Sequence, residues 1–489
     1  MRNFLLLSAI LIQNAWAIGS ESNVQLAINA FSKHKDLQSA SISFLAVDLS
    51  SNQVLGTYDA QRLLAPASTV KLWSTAGALE LLGANFRPKT ELYYSGNISR
   101  DTLFGSIMIL GFGDASLGSM HFGSRENMRG FLNSWADSLI AKGIKVIQGH
   151  LFTDASKFGY FGPPDGWSWG DMGNYYGAFP SALTLFDNML ELFFKTSSKV
   201  GDATQITATN PVIPNLVLHN YVLSDAVNSD NAYVYGAPFS NYTIVTGDLP
   251  LNKTNFVVKA AIQNPEMVFA WEMKNALEKR GIKIAGKALS RNSEANQTPS
   301  NLALLQNEKW ELLFVNYGES LSRFAELINF KSINLFAEHL PCWIALEKTG
   351  VGYHKEGMKI LNDFWSSKID FSGARITDGS GLSRNNAISA QHFVDMLKYM
   401  HIRTNEAFLN SLPVAGVSGT LKNLCSGQTA HGKVQAKSGT MSKIKSYAGY
   451  VNSKTGKKIA FAFIVNNHNN SSSALVKQME PVLNAMAAL

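Results

Sequence analysis

Cysteine is nearly absent from this chain: among 489 residues only Cys342 and Cys425 carry thiols. At most one bridge can form, and whether the two pair or one lies buried and free stays open. Long apolar runs are missing as well. Beyond the N-terminus no segment offers the roughly 18 uncharged apolar residues that a span needs, which excludes an integral membrane segment from the mature chain. The one short run, Phe4 to Ile12, follows Met1-Arg2-Asn3 and precedes Ala15-Trp16-Ala17. A basic start, a short apolar stretch and a small-x-small site read as a cleaved signal peptide over 1–17, hence an exported, periplasmic protein. Clustered charge is lacking too. The net charge is +7, yet no Lys/Arg block stands out. Nucleic acid is thereby excluded as a partner, and a scattered basic surface suits an anionic polymer such as a cell wall. There is no internal repeat and no low-complexity tract.

What is present is a core: 46% of the residues are hydrophobic, enough for two or three domains. One stretch, Leu64-Ala-Pro-Ala-Ser68-Thr-Val-Lys71-Leu-Trp-Ser-Thr-Ala-Gly-Ala-Leu-Glu80, organises the rest. Pro66 suits a helix start, Leu72, Ala76, Leu79 and Leu82 recur at helical spacing, and Gly83 supplies a stop. Ser68 falls in the first turn, where free N–H groups favour a developing oxyanion. Lys71, one turn on, can reach its hydroxyl. A serine needs a base to become a nucleophile, and a lysine serves if burial and nearby cations pull its pKa down from about 10.4. Ser-x-x-Lys also occurs at Ser32–Lys35 and Ser442–Lys445, so the apolar helix and its proline start single out Ser68.

The pattern divides the chain into a helix-and-sheet unit made of both ends, 18–90 and 300–489, and a mostly β insertion over 91–299, expected to hold two nested domains. In the first unit, Ser41–Asp48 and Gln53–Tyr58 read as alternating strands, helical character returns around Asn301, and Val434–Thr440, Tyr447–Val451 and Ile459–Val465 form sheet. The loop Phe158–Gly177 is dense in aromatics, Gly and Pro, and reads as a long loop pinned to a domain surface. The fold class is α/β (α+β), an antiparallel sheet flanked by helices.

Two further motifs complete a constellation. Ser332-Ile-Asn334 sits between two helices, so both polar side chains can face a cleft, whereas the literal Ser229-Asp-Asn231 precedes a strand in the insertion. Lys437-Ser438-Gly439-Thr440 ends one strand with another soon after, and Gly439 lets a substrate backbone approach closely. The literal Lys348-Thr-Gly350 ends a helix, and Lys454-Thr-Gly456 turns a hairpin. A Ser-His-Asp hydrolase is disfavoured for want of a nucleophile elbow on a strand–turn–helix.

In the order and context of these motifs the chain resembles peptidase family S13, the D-alanyl-D-alanine carboxypeptidase/endopeptidases or low-molecular-mass class C penicillin-binding proteins. The likeness extends to Gly111-Phe-Gly-Asp114, Gly166-Trp-Ser-Trp169, Asp378-Gly-Ser-Gly-Leu-Ser-Arg384 and Gly416-Val-Ser-Gly-Thr-Leu421. Ile333 and Ser438 depart from the usual Asp and Thr. The resemblance implies a transpeptidase-like fold and a metal-free, cofactor-free acyl-enzyme route on peptidoglycan stem peptides, with β-lactams as inhibitors. It implies Ser68 as nucleophile, Lys71 as base, Ser332 and Lys437 as proton relay, with Lys437 also holding Lys71 neutral. Asn334 would orient Lys71, and the N–H groups of Ser68 and Thr440 would form the oxyanion hole. Ser438 and Thr440 would take the terminal carboxylate. Arg384 and Asp154 would meet the carboxylate and amine of a zwitterionic stem residue. The alternatives are a β-lactamase and a non-catalytic penicillin-sensing or wall-binding protein.

Overall fold

A computed structural model describes residues 22–294 and 308–489. The signal-peptide reading of 1–17 lies outside those residues. The strands Val434–Met441, Ile444–Asn452, Lys458–Asn466, Ser41–Asp48 and Val54–Tyr58 form one antiparallel sheet in that spatial order. The chain's two ends therefore share a sheet, and Val434–Met441 is one of its edges. Both faces are covered, so Ser41–Asp48 is buried almost throughout instead of alternating with solvent. Phe44 and Ala46 face a core with the terminal helices Asn23–Ser32 and Ser472–Ala488. Leu45 and Val47 face the opposite core, with the helix Val70–Leu82.

That helix is not amphipathic in the expected way. Every residue from Val70 to Leu79 is buried, because sheet and helices enclose it on all sides. Trp73 stacks on Phe371 at 4.8 Å, and the Trp365 indole donates to the Trp73 carbonyl (3.1 Å). Around it stand Leu321–Lys331, Asn334–Thr349, His354–Ser366 and Ala390–Arg403.

The intervening segment is strand-rich, with two longer helices, Gly130–Ala141 and Pro265–Lys279, the second started by the Asn264 side chain on the Met267 N–H. Its largest sheet runs Ala288–Ser290, Leu151–Asp154, Ile107–Gly111, Lys89–Ser95, Trp310–Tyr317. The strands by which the chain leaves and rejoins the two-ended unit, Lys89–Ser95 and Trp310–Tyr317, are paired antiparallel neighbours. Beyond the strand Trp310–Tyr317 the first helix is Leu321–Lys331, and the return of helical character expected around Asn301 lies outside the described residues. Both thiols are free and buried.

Helices Asn334–Thr349 and His354–Ser366 cross at Gly357, where an added Cβ would stand 1.8 Å from the Pro341 carbonyl oxygen. Backbone cannot swing aside as a side-chain tip can. Gly357→Ala should cost about 1–3 kcal/mol or more, read as a lowered thermal unfolding temperature. An unchanged temperature would contradict this close crossing.

Candidate active site

Ser68 lies in a 3-10 turn, Ala67–Thr69, that runs straight into the helix carrying Lys71. Ala67 is held at φ 50°, a strained value for a residue with a Cβ. The turn is clamped from the sheet side. The Ser446 and Thr69 hydroxyls both donate to the Pro66 carbonyl (2.5 and 2.8 Å). Two glycines make room for it. A Cβ at Gly439 would come 2.6 Å from the Pro66 oxygen and 3.0 Å from the Ser68 nitrogen, and one at Gly381 would come 2.0 Å from the Ala67 oxygen. Gly439 thus admits the protein's own nucleophile turn, a closer demand than the substrate approach expected of it.

The Lys71 amine is wholly buried. Its nitrogen lies 2.9 Å from Ser68 Oγ, 2.6 Å from Asn334 Oδ1 and 2.6 Å from the Ser380 carbonyl oxygen. Burial pulls its pKa down to about 7, against the opposing pull of Asp378 and Glu338. The cation expected to help, Lys437, is not among the causes. Lys437 is itself buried and is lowered well below the usual lysine range, by that burial first and then by Lys71 and Lys445.

Ser332 caps the helix Leu321–Lys331 in the left-handed region (φ 61°, ψ 39°), and Asn334 opens the next helix. That sharp reversal turns both side chains to one side. Lys437 donates to Ser332 Oγ at 2.9 Å and to the Ser438 carbonyl at 2.7 Å. Ser438 donates to Thr420 Oγ1 at 2.9 Å, and Thr440 is exposed on the edge strand. Ser68, Lys71, Ser332, Asn334 and Lys437 are therefore gathered at one place. The decoys are not: Lys348, Lys454 and Asp230 are exposed, the first at a helix end and the second in the hairpin before Lys458–Asn466. The run Gly166-Trp-Ser-Trp-Gly170 matches a Gly-x-Ser-x-Gly pattern in letters, but Ser168 is a helix N-cap accepting from the Gly170 N–H.

Sequence reasoning missed the groups that hold this arrangement. Glu338, buried one turn after Asn334, accepts from the Gly379 and Ser380 N–H groups (2.9 and 2.8 Å) and meets His354 Nε2 at 2.7 Å. Burial raises its carboxyl, and His354 with those N–H donors outweighs this, leaving it below its usual value. Asp378 accepts from the N–H groups of Gly381 and Ser383, from Asn386 Nδ2 and from the Trp167 indole (2.9 Å). Together they fix the loop that presents the Ser380 carbonyl to Lys71. An acidic residue one helical turn past a site Asn, on an otherwise apolar face, was the available signal. The second Asn334 contact, from Nδ2 to the Tyr176 carbonyl at 2.8 Å, comes from the aromatic loop and had no signal at all.

Asp154 must be withdrawn. It is buried on the strand Leu151–Asp154, with its carboxylate on Arg291 (2.6 Å) and the Ser156 N–H (2.8 Å), so it has nothing left for a substrate amine. Arg384 is exposed in the turn after Asp378, and its charge acts on Asp171 of the aromatic loop. Burial raises the Asp171 carboxyl, and the Tyr176 hydroxyl donates to it at 3.3 Å. Among the described residues no cluster of His, Cys, Asp and Glu suited to a metal ion occurs.

The chain is similar to known proteins over most of its length. It is 29% identical over 463 residues to a D-alanyl-D-alanine carboxypeptidase of Actinomadura sp. (strain R39), covering 92% of this chain and 82% of that protein. It is 24% identical over 439 residues to the D-alanyl-D-alanine carboxypeptidase DacB of Haemophilus influenzae, covering 88% and 86%. The crystal structure of penicillin-binding protein 4 from Haemophilus influenzae superposes with a TM-score of 0.81 at 23% identity, over 94% of this chain and 99% of that one. That likeness shows the fold. The family model of the D-Ala-D-Ala carboxypeptidase 3 (S13) family matches residues 24–487, and the chain belongs to that family.

Proposed function

We propose that this protein is an exported serine DD-peptidase that cleaves the D-Ala-D-Ala ends, and the D-alanyl cross-links, of peptidoglycan through an acyl-enzyme on Ser68. One observation carries the reading: a wholly buried amine, Lys71, sits 2.9 Å from the hydroxyl of an accessible serine. A binding module has no use for that costly pair. The names of the relatives and the β-lactam complex of the Haemophilus influenzae protein support the same substrate class.

In this mechanism Ser68 Oγ attacks the carbonyl of the penultimate D-alanine while its proton passes to Lys71 Nζ. The N–H groups of Ser68 and Thr440 stabilise the oxyanion. Collapse of the adduct expels the amine of the last residue, which receives, relayed through Ser332 as Lys437 holds that hydroxyl in place, the proton that Lys71 took from Ser68, leaving Lys71 neutral again. Water then attacks the ester, returning the proton to Ser68. Ser438 and Thr440 hold the terminal carboxylate on the edge strand, with Gly439 keeping that strand against the nucleophile turn. Arg384, with Asp171 in place of Asp154, would meet a zwitterionic side chain on the stem peptide. The signal segment 1–17 places this chemistry in the periplasm. No step calls on a metal or cofactor.

Labelled penicillin should attach covalently to Ser68. Ser68→Ala should reduce labelling by about 10³-fold or more while the fold persists. Lys437→Ala should lose most acylation, and Lys348→Ala and Lys454→Ala little. Full labelling of a folded Ser68→Ala protein would refute the nucleophile. Purified peptidoglycan should release D-alanine and cleaved cross-links, identified by mass.

Lys71 must be neutral to accept a proton, and its pKa is about 7. Acylation should therefore fall as pH drops through about 7 and plateau above it. Asn334→Asp puts an anion 2.6 Å from the amine in place of a neutral acceptor. That favours the charged lysine, so the midpoint should rise by about 1–2 units. A midpoint that stays put or falls would contradict the assignment of Lys71 as base.

A further inference from the structure

We propose that Lys445 is a further substrate-binding residue. Its ammonium, on the strand beside Lys437-Ser438-Gly439-Thr440, completes with Ser438 and Thr440 a receptor for the carboxylate at the end of the substrate. The inference rests on the DD-peptidase reading above.

Lys445 belongs to Ser442-x-x-Lys445, a motif the nucleophile assignment sets aside. In the sheet it stands directly across from Thr440. Its Nζ donates to Thr440 Oγ1 at 2.8 Å, its one hydrogen bond among the described residues. An ammonium can only donate, so Thr440 must accept. The hydroxyl's own proton is then turned away from Lys445, and Thr440 is exposed at the open edge. The lysine thus primes Thr440 to donate outward, towards whatever anion lies along that edge.

The electrostatics ask for such an anion. Lys445 is only 9% exposed. Among the described residues no carboxylate lies within ion-pair distance of it, and its other neighbour is the Tyr447 ring, 5.0 Å from Nζ. A buried cation without a counter-ion is costly, and such a group is normally paired. Lys71 has Asp378 and Glu338 to favour its charge, whereas burial alone acts on Lys445, lowering it to about 8. Lys437 likewise has no acid among the causes of its shift. A buried lysine without an acid thus stands on the Thr440 hydroxyl, and a second, Lys437, belongs to the same edge strand as Ser438 and Thr440. A substrate carboxylate is the missing counter-ion.

The test compares acylation of Ser68 by benzylpenicillin and by its methyl ester, which lacks the anion, in the wild type, Lys445→Met and Lys445→Arg. The acid-to-ester ratio of second-order rate constants should fall about 10- to 100-fold in Lys445→Met, the range for losing a hydrogen bond to a charged group. Lys445→Arg keeps the charge and should keep the ratio within about fivefold of the wild type. Lys445→Met should also melt no lower than the wild type, since it removes an unpaired buried charge. A wild-type ratio in Lys445→Met, an equal fall in both variants, or a Lys445→Met chain that fails to fold would each overturn the proposal. A wild type that neither reagent acylates would instead refute the DD-peptidase reading on which it stands.

Discussion

The burial of one amine constrains everything around it. Lys71 sits on a helix enclosed on all sides, with its nitrogen within hydrogen-bond distance of Ser68 Oγ, Asn334 Oδ1 and the Ser380 carbonyl, so that the neutral amine donates to the last two and turns its lone pair to Ser68. A lysine removed from water gives up its proton more readily, and a neutral amine with a fixed direction is what a serine needs beside it. The three partners come from three parts of the chain, so the site exists only once the helix, the interhelical turn and the Asp378–Arg384 loop have all docked. Glu338 and Asp378 have a double role. Their hydrogen bonds hold that loop, while their charge opposes the loss of the lysine's proton. Burial wins, but by a margin these acids set.

The long insertion takes part in this arrangement. It leaves and returns through two paired strands, so its ends are adjacent. From there it sends the aromatic loop back to the site. The Tyr176 carbonyl takes the Asn334 amide, which fixes that amide's orientation so that its oxygen faces Lys71. The Trp167 indole reaches Asp378. A loop that reads in sequence as pinned to a domain surface touches, in three dimensions, both Asn334 and Asp378.

Much of the site was legible because its chemistry is local. Ser68 and Lys71 are one turn apart on an apolar helix, and Ser332-Ile-Asn334 lies at a break between two helices. The better Lys-Ser-Gly was separable from two literal Lys-Thr-Gly triplets by asking which one a strand presents. The fold class followed from strand and helix patterning at the two ends. What could not be read is what depends on long-range contact. Asp154 looked free in sequence, yet Arg291, far along the chain, takes its carboxylate. Gly439 looked like a concession to substrate, yet Pro66 and Ser68 need its missing side chain first. The strand Trp310–Tyr317 has its partner more than 200 residues earlier, a pairing that no local pattern discloses. Lys437 was expected to discharge Lys71, but desolvation does so, and desolvation is a property of the assembled core.

The account turns on the state of that amine, and it can be observed directly. An NMR titration of labelled lysine side chains, with the Lys71 signal assigned from a Lys71→Arg variant, reads its protonation without any reaction. The expected midpoint is about 7. A midpoint near the ordinary value of about 10.4 would mean that burial does not discharge the amine, and Lys71 could not then serve as the base at neutral pH.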